Sequence, residues 1–426
     1  MDKNHIVVIG AGFGGLQLVR ALKRRPVRIT LIDRRNHHLF QPLLYQVATT
    51  ILTTSEIAWP IRSLFRDRDE VTTLMCEVTG VDRQSRSVRL ANGQSISFDT
   101  LVIATGARHA YFGRDDWEPV APGLKTLEDA TTVRRRLLMA FEQAEADPAN
   151  RRKLTTFCVI GGGPTGVELA GMLAQLSREI APEFRSIDTK QARILLIEAG
   201  PRLLPAFAPE LSRYTEEALT KLGVEVMLGR PVTECSAEGV SIGTEFIAAS
   251  TAVWAAGVQA SKAADWLSTE ADRAGRVVVG SDLSVPDDPA IFVIGDTASA
   301  RSEDGTPVPG IAPAAKQQGV YVARVITARL RGQPSPGPFH YRHMGNFATI
   351  GPKSAVIELG KFKMKGTIAW WLWGLAHVYF LIGARSRFSV ALSWLWTFLS
   401  GQHSARLITQ RENLKVTSPS ALGSSA

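Results

Sequence analysis

The sequence of 426 residues predicts an α/β protein with two similar parallel-sheet domains and a helical C-terminal region. Three observations lead to this fold class. A G-x-G-x-x-G motif follows an apolar strand near the amino terminus, the same arrangement returns at Gly161, and the residues after 366 are rich in Trp, Leu and Phe. A strand, a glycine turn, a helix and a second strand ending in an acid form the pattern of a Rossmann-like dinucleotide-binding domain. Two such domains, each with its own dinucleotide, are therefore expected.

The first unit runs from His5 to Asp33. In this motif Gly10 makes the tight turn, Gly12 lets the backbone approach a pyrophosphate, and Gly15 lets the helix lie close to the strand. Backbone N–H groups at the start of the helix would point at the diphosphate. The Asp33 carboxylate ends the second strand, where it can accept hydrogen bonds from a ribose. The candidate contacts of this unit are Gly10, Gly12, Phe13, Gly14, Gly15, Asp33 and Arg34.

The second unit repeats the pattern from Phe157 to Glu198. A helix is predicted over Val167–Ile180, and the next strand ends at Glu198. The interval to this acid is longer than the typical ~20 residues. We interpret the excess, residues 177–191, as an extension of the helix with a polar turn. The candidate contacts are Gly161, Gly163, Pro164, Thr165, Gly166 and Glu198.

Three other strand ends supply further candidates. The strand Thr100–Ala104 stops at A-T-G, which brings bare backbone N–H groups toward a ligand, and residues 252–257 mirror it in the second unit. The chain then returns to the first domain through a strand over 291–294 that ends at Gly295-Asp296, whose carboxylate can accept hydrogen bonds from ribityl hydroxyls. A helix is predicted from the segment Ala312–Gly319 to about Arg331. The candidate contacts at the first two strand ends are Ala104, Thr105, Gly106, Ala256 and Gly257.

The segment Gln41–Thr49 is too apolar for an ordinary surface loop. We interpret it either as a buried connection or as a segment that passes the reactive end of a cofactor, with Gln46 as its polar candidate. Strand-like residues follow over 71–78, and Val78 is a further candidate contact. The predicted domains are residues 1–118 with 280–340, residues 119–279, a C-terminal region over 341–415, and a tail over 416–426 whose composition is typical of disorder.

The apolar C-terminal residues allow three interpretations. Gly366–Ala384 is free of charge and as a helix would extend ~28 Å, which is just enough to cross a bilayer. The alternatives are a buried core or dimer helix and a helix that lies in the membrane interface. Residues 388–400 favour the interfacial helix, because Ser and Thr recur on one helical face and Leu and Trp on the other. Neighbouring Lys and Arg side chains would then contact anionic headgroups.

Composition limits the classes of partner. A net charge of +9 fits an anionic membrane, nucleic acid or simple solubility, but the sequence has no nucleic-acid motif, so no nucleic-acid partner is predicted. The cysteines lie far apart without a C-x-x-C pair, which argues against disulfide exchange and indicates a reducing compartment. No His/Cys cluster has metal-ligand spacing, and no metal site is predicted. The first strand begins close to Met1, which leaves no room for a signal peptide.

Over nearly its full length the chain resembles the type II NADH:quinone oxidoreductases, which are single-chain NADH dehydrogenases of the two-dinucleotide-binding flavoprotein superfamily. The paired glycine motifs indicate only the superfamily, whereas Gln41–Thr49, Ala312–Gly319 and the apolar C terminus carry the narrower resemblance. It implies non-covalent FAD in the first domain, NADH in the second, and two-electron reduction of a membrane quinone without proton translocation. It also implies peripheral attachment to the cytoplasmic face of the inner membrane through the C-terminal helices, and a homodimer is expected.

The resemblance also implies roles for single residues. Glu168, expected in the first turn of its helix, resembles the family's glutamate beside the nicotinamide, although an acid there would also complement the helix N-terminus. Lys316 and Gln317 are the candidates for the quinone side, because a lysine can stabilise negative charge on a quinone oxygen. Residues 312–317 would meet the flavin ring. Pro313 stands where some family members carry glutamine, which affects quinone preference.

The sequence leaves open the choice between NADH and NADPH and the choice between related activities. Glu198 favours NADH over NADPH because a carboxylate repels a 2′-phosphate, although the nearby Arg202 weakens this inference. A sulfide:quinone oxidoreductase shares the predicted architecture but needs redox-active cysteines, and the cysteines of this chain do not look placed for that chemistry: Cys76, Cys158 and Cys235. A non-enzymatic NADH-binding flavoprotein sensor is the other alternative.

Overall fold

The first domain is organised around a six-stranded sheet. The computed structural model describes residues 3–302, 305–401 and 405–409, so the predicted tail over 416–426 lies outside the described residues. The sheet is parallel except for its first edge strand, and the chain does return to it after the second domain. Its central strands are buried, which explains their continuous runs of Val and Ile. The strand order is Ser284–Val285, Asp288–Val293, Thr100–Ile103, Asn4–Ile9, Val27–Asp33 and Val71–Met75.

Two helices cover one face of this sheet, Phe13–Ala21 and Ala312–Leu330. They approach each other closely because Gly319 has no side chain: a Cβ there would lie 2.4 Å from the carbonyl oxygen of Gly14. Val78 does not continue the strand that ends at Met75. The smaller elements are an antiparallel sheet of Val78–Asp82, Ser87–Leu90 and Ser95–Ser97, a ribbon of His37–Leu39 with Ala58–Pro60, and the helices Thr54–Ile57 and Ile61–Leu64.

The segment Gln41–Thr49 forms a 3₁₀ turn, Gln41–Leu43, followed by the helix Leu44–Ala48. Residues 43–52 are all buried. The segment packs against the helices Leu127–Ala146 and Pro164–Glu179 of the second domain. The interpretation as a buried connection is therefore confirmed.

The second domain has a four-stranded parallel sheet with the same central topology. The helix expected over Val167–Ile180 begins earlier, at Pro164, because proline is favoured at the first helical position, and it ends at Glu179. The predicted extension over 177–191 is therefore wrong: two short 3₁₀ turns follow, and Pro182 has no N–H to continue the helix. The strand order is Val224–Met227, Arg193–Ile197, Thr156–Ile160 and Thr251–Trp254, and the other elements are Arg151–Leu154, Pro209–Lys221 and the antiparallel Glu234–Ser236, Gly239–Ile242 and Glu245–Ala248. The short helix Ala263–Leu267 packs on the core of the first domain.

Two antiparallel strands form the passage between the domains. The chain leaves the first domain through Ala107–His109 and comes back through Val258–Ala260, and the two strands pair with each other. The returning chain adds a short parallel pair, Val277–Val278 with Ala298–Ser299. The ends of the strands that carry the predicted contacts therefore lie beside this passage.

A three-stranded antiparallel sheet, which the sequence analysis did not predict, precedes the C-terminal helices. It docks on the helix Pro164–Glu179 at Gly171, where a Cβ would lie 1.7 Å from the carbonyl oxygen of Ile350. The C-terminal region is therefore built onto the second domain and begins with a β-sheet. Its strands are Asn346–Gly351, Ser354–Leu359 and Phe362–Gly366.

The apolar run Gly366–Ala384 is not one helix. A helix covers Thr367–Phe380, the chain turns at Gly383 with φ +80°, and a second helix covers Ala384–Ser400. Among the described residues, no helix has both the length and the apolar character required to cross a membrane.

The last helix has its hydroxyl face toward the protein and its apolar face outward. The hydroxyls of Ser389 and Ser393 donate to Glu56 Oε1 at 3.0 and 2.6 Å. A buried carboxylate needs hydrogen-bond donors, which explains why the hydroxyl face docks here. The opposite face is exposed, and most of the exposed large apolar side chains of the described chain lie in residues 362–408.

Candidate active site

The two glycine turns share one backbone geometry. The amide of Gly10 donates to the carbonyl of Ile32 at 2.7 Å, and the amide of Gly161 donates to the carbonyl of Ile197 at 2.7 Å. Both glycines have positive φ, +102° and +114°, a conformation that other residues rarely adopt. The internal repeat predicted from the sequence thus extends to individual hydrogen bonds.

The acids at the ends of the second strands also occupy equivalent positions. Asp33 Oδ2 accepts from the amide of Ala11 at 2.7 Å, and Glu198 Oε2 accepts from the amide of Gly162 at 2.5 Å. In each domain the acid is thereby held against the glycine turn. The remaining acceptor capacity of each carboxylate is available for a ribose diol.

The other glycines of the motifs separate into tight and open positions. At Gly15 and Gly166, a Cβ would lie 1.9 and 1.8 Å from the carbonyl oxygen of the first glycine of the same motif. At Gly12 and Gly163, a Cβ would meet no atom of the described chain within 4 Å. The open positions stand just before the helices that begin at Phe13 and Pro164, where a pyrophosphate would approach. The two turns therefore fit two dinucleotides.

The end of the strand Thr100–Ile103 is tied to the passage between the domains. Thr105 Oγ1 lies 2.6 Å from Ser261 Oγ, and the Thr297 hydroxyl donates to the carbonyl of Gly106 at 3.1 Å. Gly106 has φ +71° and open space where a Cβ would stand. These contacts bring the predicted Thr105-Gly106 turn next to the Gly295-Asp296 turn.

A half-buried lysine accompanies Asp296. Lys125 Nζ lies 3.8 Å from Asp296 Oδ2, and burial lowers the pKa of this lysine. The amide of Gly295 donates to Gln318 Oε1 at 2.5 Å. Lys125 and Gln318 were not singled out in the sequence, although Gln318 is part of the distinctive segment Ala312–Gly319 that was.

Two predicted contacts of the first domain lie away from this arrangement. Val78 is packed in the core below the sheet with Ile9 and Ile32, and the Arg34 side chain is exposed. The backbone amide of Arg35 donates to Asp33 Oδ1 at 2.8 Å. The role of Val78 and Arg34 in cofactor binding stays a prediction.

Glu168 is one of the few buried carboxylates. It lies in the second turn of its helix because the helix begins at Pro164, so the expected position in the first turn is wrong. Its Oε1 lies 3.3 Å from the amide nitrogen of Thr349, which belongs to the C-terminal sheet. Burial raises the pKa of Glu168 well above its usual value, and Glu168 in turn contributes to the raised pKa of the buried Tyr45. The neighbourhood of Glu168 therefore favours a protonated, neutral carboxyl group.

Tyr45 and Gln46 connect this region to the last helix. The Gln46 side chain donates to the Tyr45 hydroxyl at 3.1 Å and accepts from the indole N–H of Trp394 at 2.7 Å. Glu56, which the sequence analysis missed, also caps its own short helix by accepting from the amide of Thr53 at 2.7 Å. Only the tertiary structure brings these groups together, since Glu56 and Ser393 are far apart in the sequence.

Lys316 lies near the start of the helix Ala312–Leu330, and its side chain lies between two aromatic rings. Its Nζ lies 5.2 Å from the ring centre of Phe13 and 5.0 Å from that of Phe380. Burial, followed by the charges of Arg20 and Arg387, lowers the pKa of Lys316 to about 8. Lys316 can therefore exist in both protonation states near neutral pH.

Gln317 points away from Lys316. Its amide nitrogen donates to the carbonyl of Arg342 at 2.9 Å, and its oxygen accepts from the amide of Arg342 at 2.9 Å. The side chain thus holds the segment before the C-terminal sheet. A direct role of Gln317 at the quinone side stays a prediction.

Comparison with known proteins agrees with this geometry. Residues 4–319 match the pyridine nucleotide-disulphide oxidoreductase family, and residues 343–403 match the NDH2 C-terminal domain. The chain is 42% identical to the type II NADH:quinone oxidoreductase Ndh of Mycobacterium tuberculosis, across 96% of this chain and 91% of the relative. The chain belongs to the type II NADH:quinone oxidoreductases. A relative from Staphylococcus haemolyticus with the same family name is 31% identical, across 83% of this chain and 89% of the relative.

Solved structures support the fold. NDH2 from Plasmodium falciparum in complex with NADH superposes with a TM-score of 0.87 at 20% identity, covering 96% of this chain and 100% of the other. The sulfide:quinone oxidoreductase of Aquifex aeolicus gives a TM-score of 0.71 at 19% identity, covering 94% and 96%. The Plasmodium falciparum protein therefore shares the fold of this chain over nearly its whole length, a range that includes the C-terminal sheet.

Two of the three cysteines of this enzyme are unsuited to thiol chemistry. Cys158 and Cys235 are buried in the core of the second domain, and burial raises the pKa of both thiols to about 12. A thiolate is the nucleophile in disulfide and sulfide chemistry, so neither residue is poised for it. Cys76 is half-buried, and all three cysteines are free.

Proposed function

We propose that this chain oxidises NADH and transfers two electrons to a membrane quinone through non-covalently bound FAD, without moving protons across the membrane. The observation that supports this most directly is the pair of open glycine positions, Gly12 and Gly163, in two turns of the same geometry. When bound, FAD supplies the redox chemistry by accepting a hydride from NADH and delivering two electrons to a quinone.

FAD is assigned to the first domain because its sheet has one more parallel strand than the sheet of the second domain. The carboxyl end of that strand lies at the edge of the sheet where the glycine turn lies. The carboxyl ends of parallel strands meet at one edge of a sheet, and the returning strand Asp288–Val293 adds Asp296 there. The second sheet has no equivalent of this strand among the residues that the structure describes. The residues proposed to hold FAD are Gly10, Gly12, Gly15, Asp33, Thr105, Gly106, Gly295, Asp296 and Ala312.

NADH is assigned to the second domain, on Gly161, Gly163 and Gly166. The Glu198 carboxylate favours the free 2′-hydroxyl of NADH. Arg202, the residue that weakened this inference in the sequence, donates its guanidinium N–H groups to the carbonyls of Phe207 and Pro205, each at 2.7 Å. An arginine committed to backbone carbonyls is not free to bind a 2′-phosphate, so the structure supports the preference for NADH.

Two side chains are proposed to act beside the reacting groups. The buried Glu168 carboxyl holds a proton and offers a neutral hydrogen-bonding group at the end of the second domain that faces Tyr45. Lys316 Nζ can donate a proton or stabilise negative charge on a quinone oxygen, because its lowered pKa of about 8 lets it exchange protons near neutral pH.

Peripheral attachment to the cytoplasmic face of the inner membrane is part of this proposal. The outward faces of the last two helices carry Ile368, Trp371, Leu375 and Leu399 in exposed positions, which suits immersion in the membrane interface. NADH is supplied from the cytoplasm, so the protein would lie on that face. A homodimer is also proposed, and light scattering of the purified enzyme tests it.

Stopped-flow absorbance of the flavin tests the reaction. Addition of NADH is expected to bleach the flavin, and subsequent addition of a menaquinone or ubiquinone analogue is expected to restore its colour. Absence of bleaching by NADH would refute the proposed reaction. Bleaching by NADH without reoxidation by any quinone would favour an NADH sensor, whereas bleaching by sulfide and not by NADH would favour the related sulfide-oxidising activity.

A further inference from the structure

A groove of about 1020 Å³ lies on the outer side of the first domain. The helices Phe13–Ala21 and Ala312–Leu330 form its floor, and residues 336–344 and 379–387 form its walls. It is therefore placed where the first domain meets the start of the last helix, and its Phe13 end lies beside the first glycine turn.

The charged side chains that line the groove are all positive. No Asp or Glu is among its lining residues, and none of its basic side chains has an ion pair within the part of the chain that the structure describes. The pKa of Lys316 at the inner end is lowered partly by the charges of Arg20 and Arg387, which shows that these cations lie within electrostatic reach of one another. An anion would offset this repulsion. The basic lining residues are Arg20, Lys316, Arg324, Arg342 and Arg387.

The groove is continuous with the apolar surface of the C-terminal helices. Tyr379 and Phe380 line it and are also exposed at the end of the helix Thr367–Phe380. Arg387 lies at the start of the last helix, with its guanidinium 5.8 Å from the Tyr379 ring centre. Cations beside aromatic rings at the edge of an apolar surface are typical of the headgroup region of a membrane.

We propose that the outer part of this basic groove, at Arg324 and Arg342, binds the phosphate of an anionic phospholipid, whose acyl chains lie along Tyr379 and Phe380. Lys316 at the inner end stays available to a quinone. The proposal rests on the membrane attachment proposed above and goes beyond it, because it assigns a defined headgroup site to the first domain. Apolar insertion by the helices would bind any bilayer, whereas the groove adds a preference for anionic lipid.

Vesicle flotation of the full-length, flavin-loaded enzyme tests the proposal. The variant Arg324→Gln with Arg342→Gln removes two exposed charges from the groove, and the variant Lys361→Gln with Lys365→Gln removes two exposed charges from the C-terminal sheet outside it. With vesicles of phosphatidylcholine and phosphatidylglycerol, the groove variant is expected to bind about 30-fold more weakly than the parent, since each basic residue near a membrane contributes about fivefold. It is also expected to bind more weakly than the control variant, whose charges do not converge on one phosphate. With phosphatidylcholine alone, parent and groove variant are expected to bind equally.

Different outcomes would overturn the lipid site in the groove alone or membrane attachment as well. Equal losses in the groove variant and the control variant, disappearing together in high salt, would overturn the groove and leave membrane attachment in place. A parent that binds neither vesicle would overturn both proposals. NADH oxidation with a water-soluble quinone should be unchanged in both variants, which verifies that they are folded.

Discussion

Replacing Glu168 by Gln should stabilise the folded enzyme increasingly as the pH rises and should slow its reduction by NADH. The side chain is buried, and burial raises its pKa well above the reference value of 4.5, so folding takes up a proton at neutral pH. A raised folded-state pKa gives a contribution to stability that is complete below pH 4.5 and is lost as the pH rises toward the folded pKa. Within that interval the loss is about 1.4 kcal/mol per pH unit. Glutamine has the same shape and no such dependence.

The assay is thermal unfolding of parent and variant over a pH series, combined with stopped-flow reduction by NADH. The difference in stability should be near zero at pH 4.5 and grow with pH. Glu142→Gln, at an exposed position of the helix Leu127–Ala146, is the matched control for the loss of one carboxylate. A pH-independent difference for Glu168→Gln would refute a protonated Glu168. An unchanged rate of reduction would leave Glu168 a purely structural residue.

Three further predictions follow from the glycine turns, the exposed helices and the cysteines. Gly12→Val should yield a folded but colourless protein because its side chain enters open space, whereas Gly163→Val should stay yellow but lose reduction by NADH; a yellow Gly12→Val protein in absorbance spectra would contradict the assignment of FAD. Trp371→Ser combined with Leu399→Ser should release the protein from vesicles without unfolding it, because both side chains are exposed. Continued co-sedimentation with vesicles would count against the membrane anchor. Deleting the chain from Gly366 onward would also uncover the core, since the same helices pack on it. NADH:quinone activity should survive serine substitution at each of Cys76, Cys158 and Cys235. A severe loss of activity in a folded variant would indicate that a thiol takes part in the reaction.

Features that depend on neighbouring residues could be predicted from the sequence. The strand, glycine turn, helix and acid of each unit follow one another within a few turns of chain, and each imposes a local requirement such as the positive φ of Gly10 and Gly161. The helix Leu127–Ala146 begins at a capping box of Thr126 and Asp129, which is a local signal of the same kind. The apolar composition of Gln41–Thr49 predicted that this segment is not an ordinary surface loop, and the structure buries most of it.

The features that could not be predicted depend on residues far apart in the chain. The sheet Asn346–Gly366 has short strands with little alternation, and it forms because Gly171 leaves room for it on a helix of the second domain.

The sequence by itself determined that the chain has two dinucleotide turns and an apolar C terminus. The tertiary structure decided which way that C terminus faces. Serines 389 and 393 form a polar stripe in the sequence, but only the fold brings Glu56 against them. Gln317 looks like its neighbour Gln318 until the fold turns one toward Arg342 and the other toward Gly295. The physical reason is that local patterns fix backbone conformation, whereas the partner of a polar side chain is fixed only when distant segments meet.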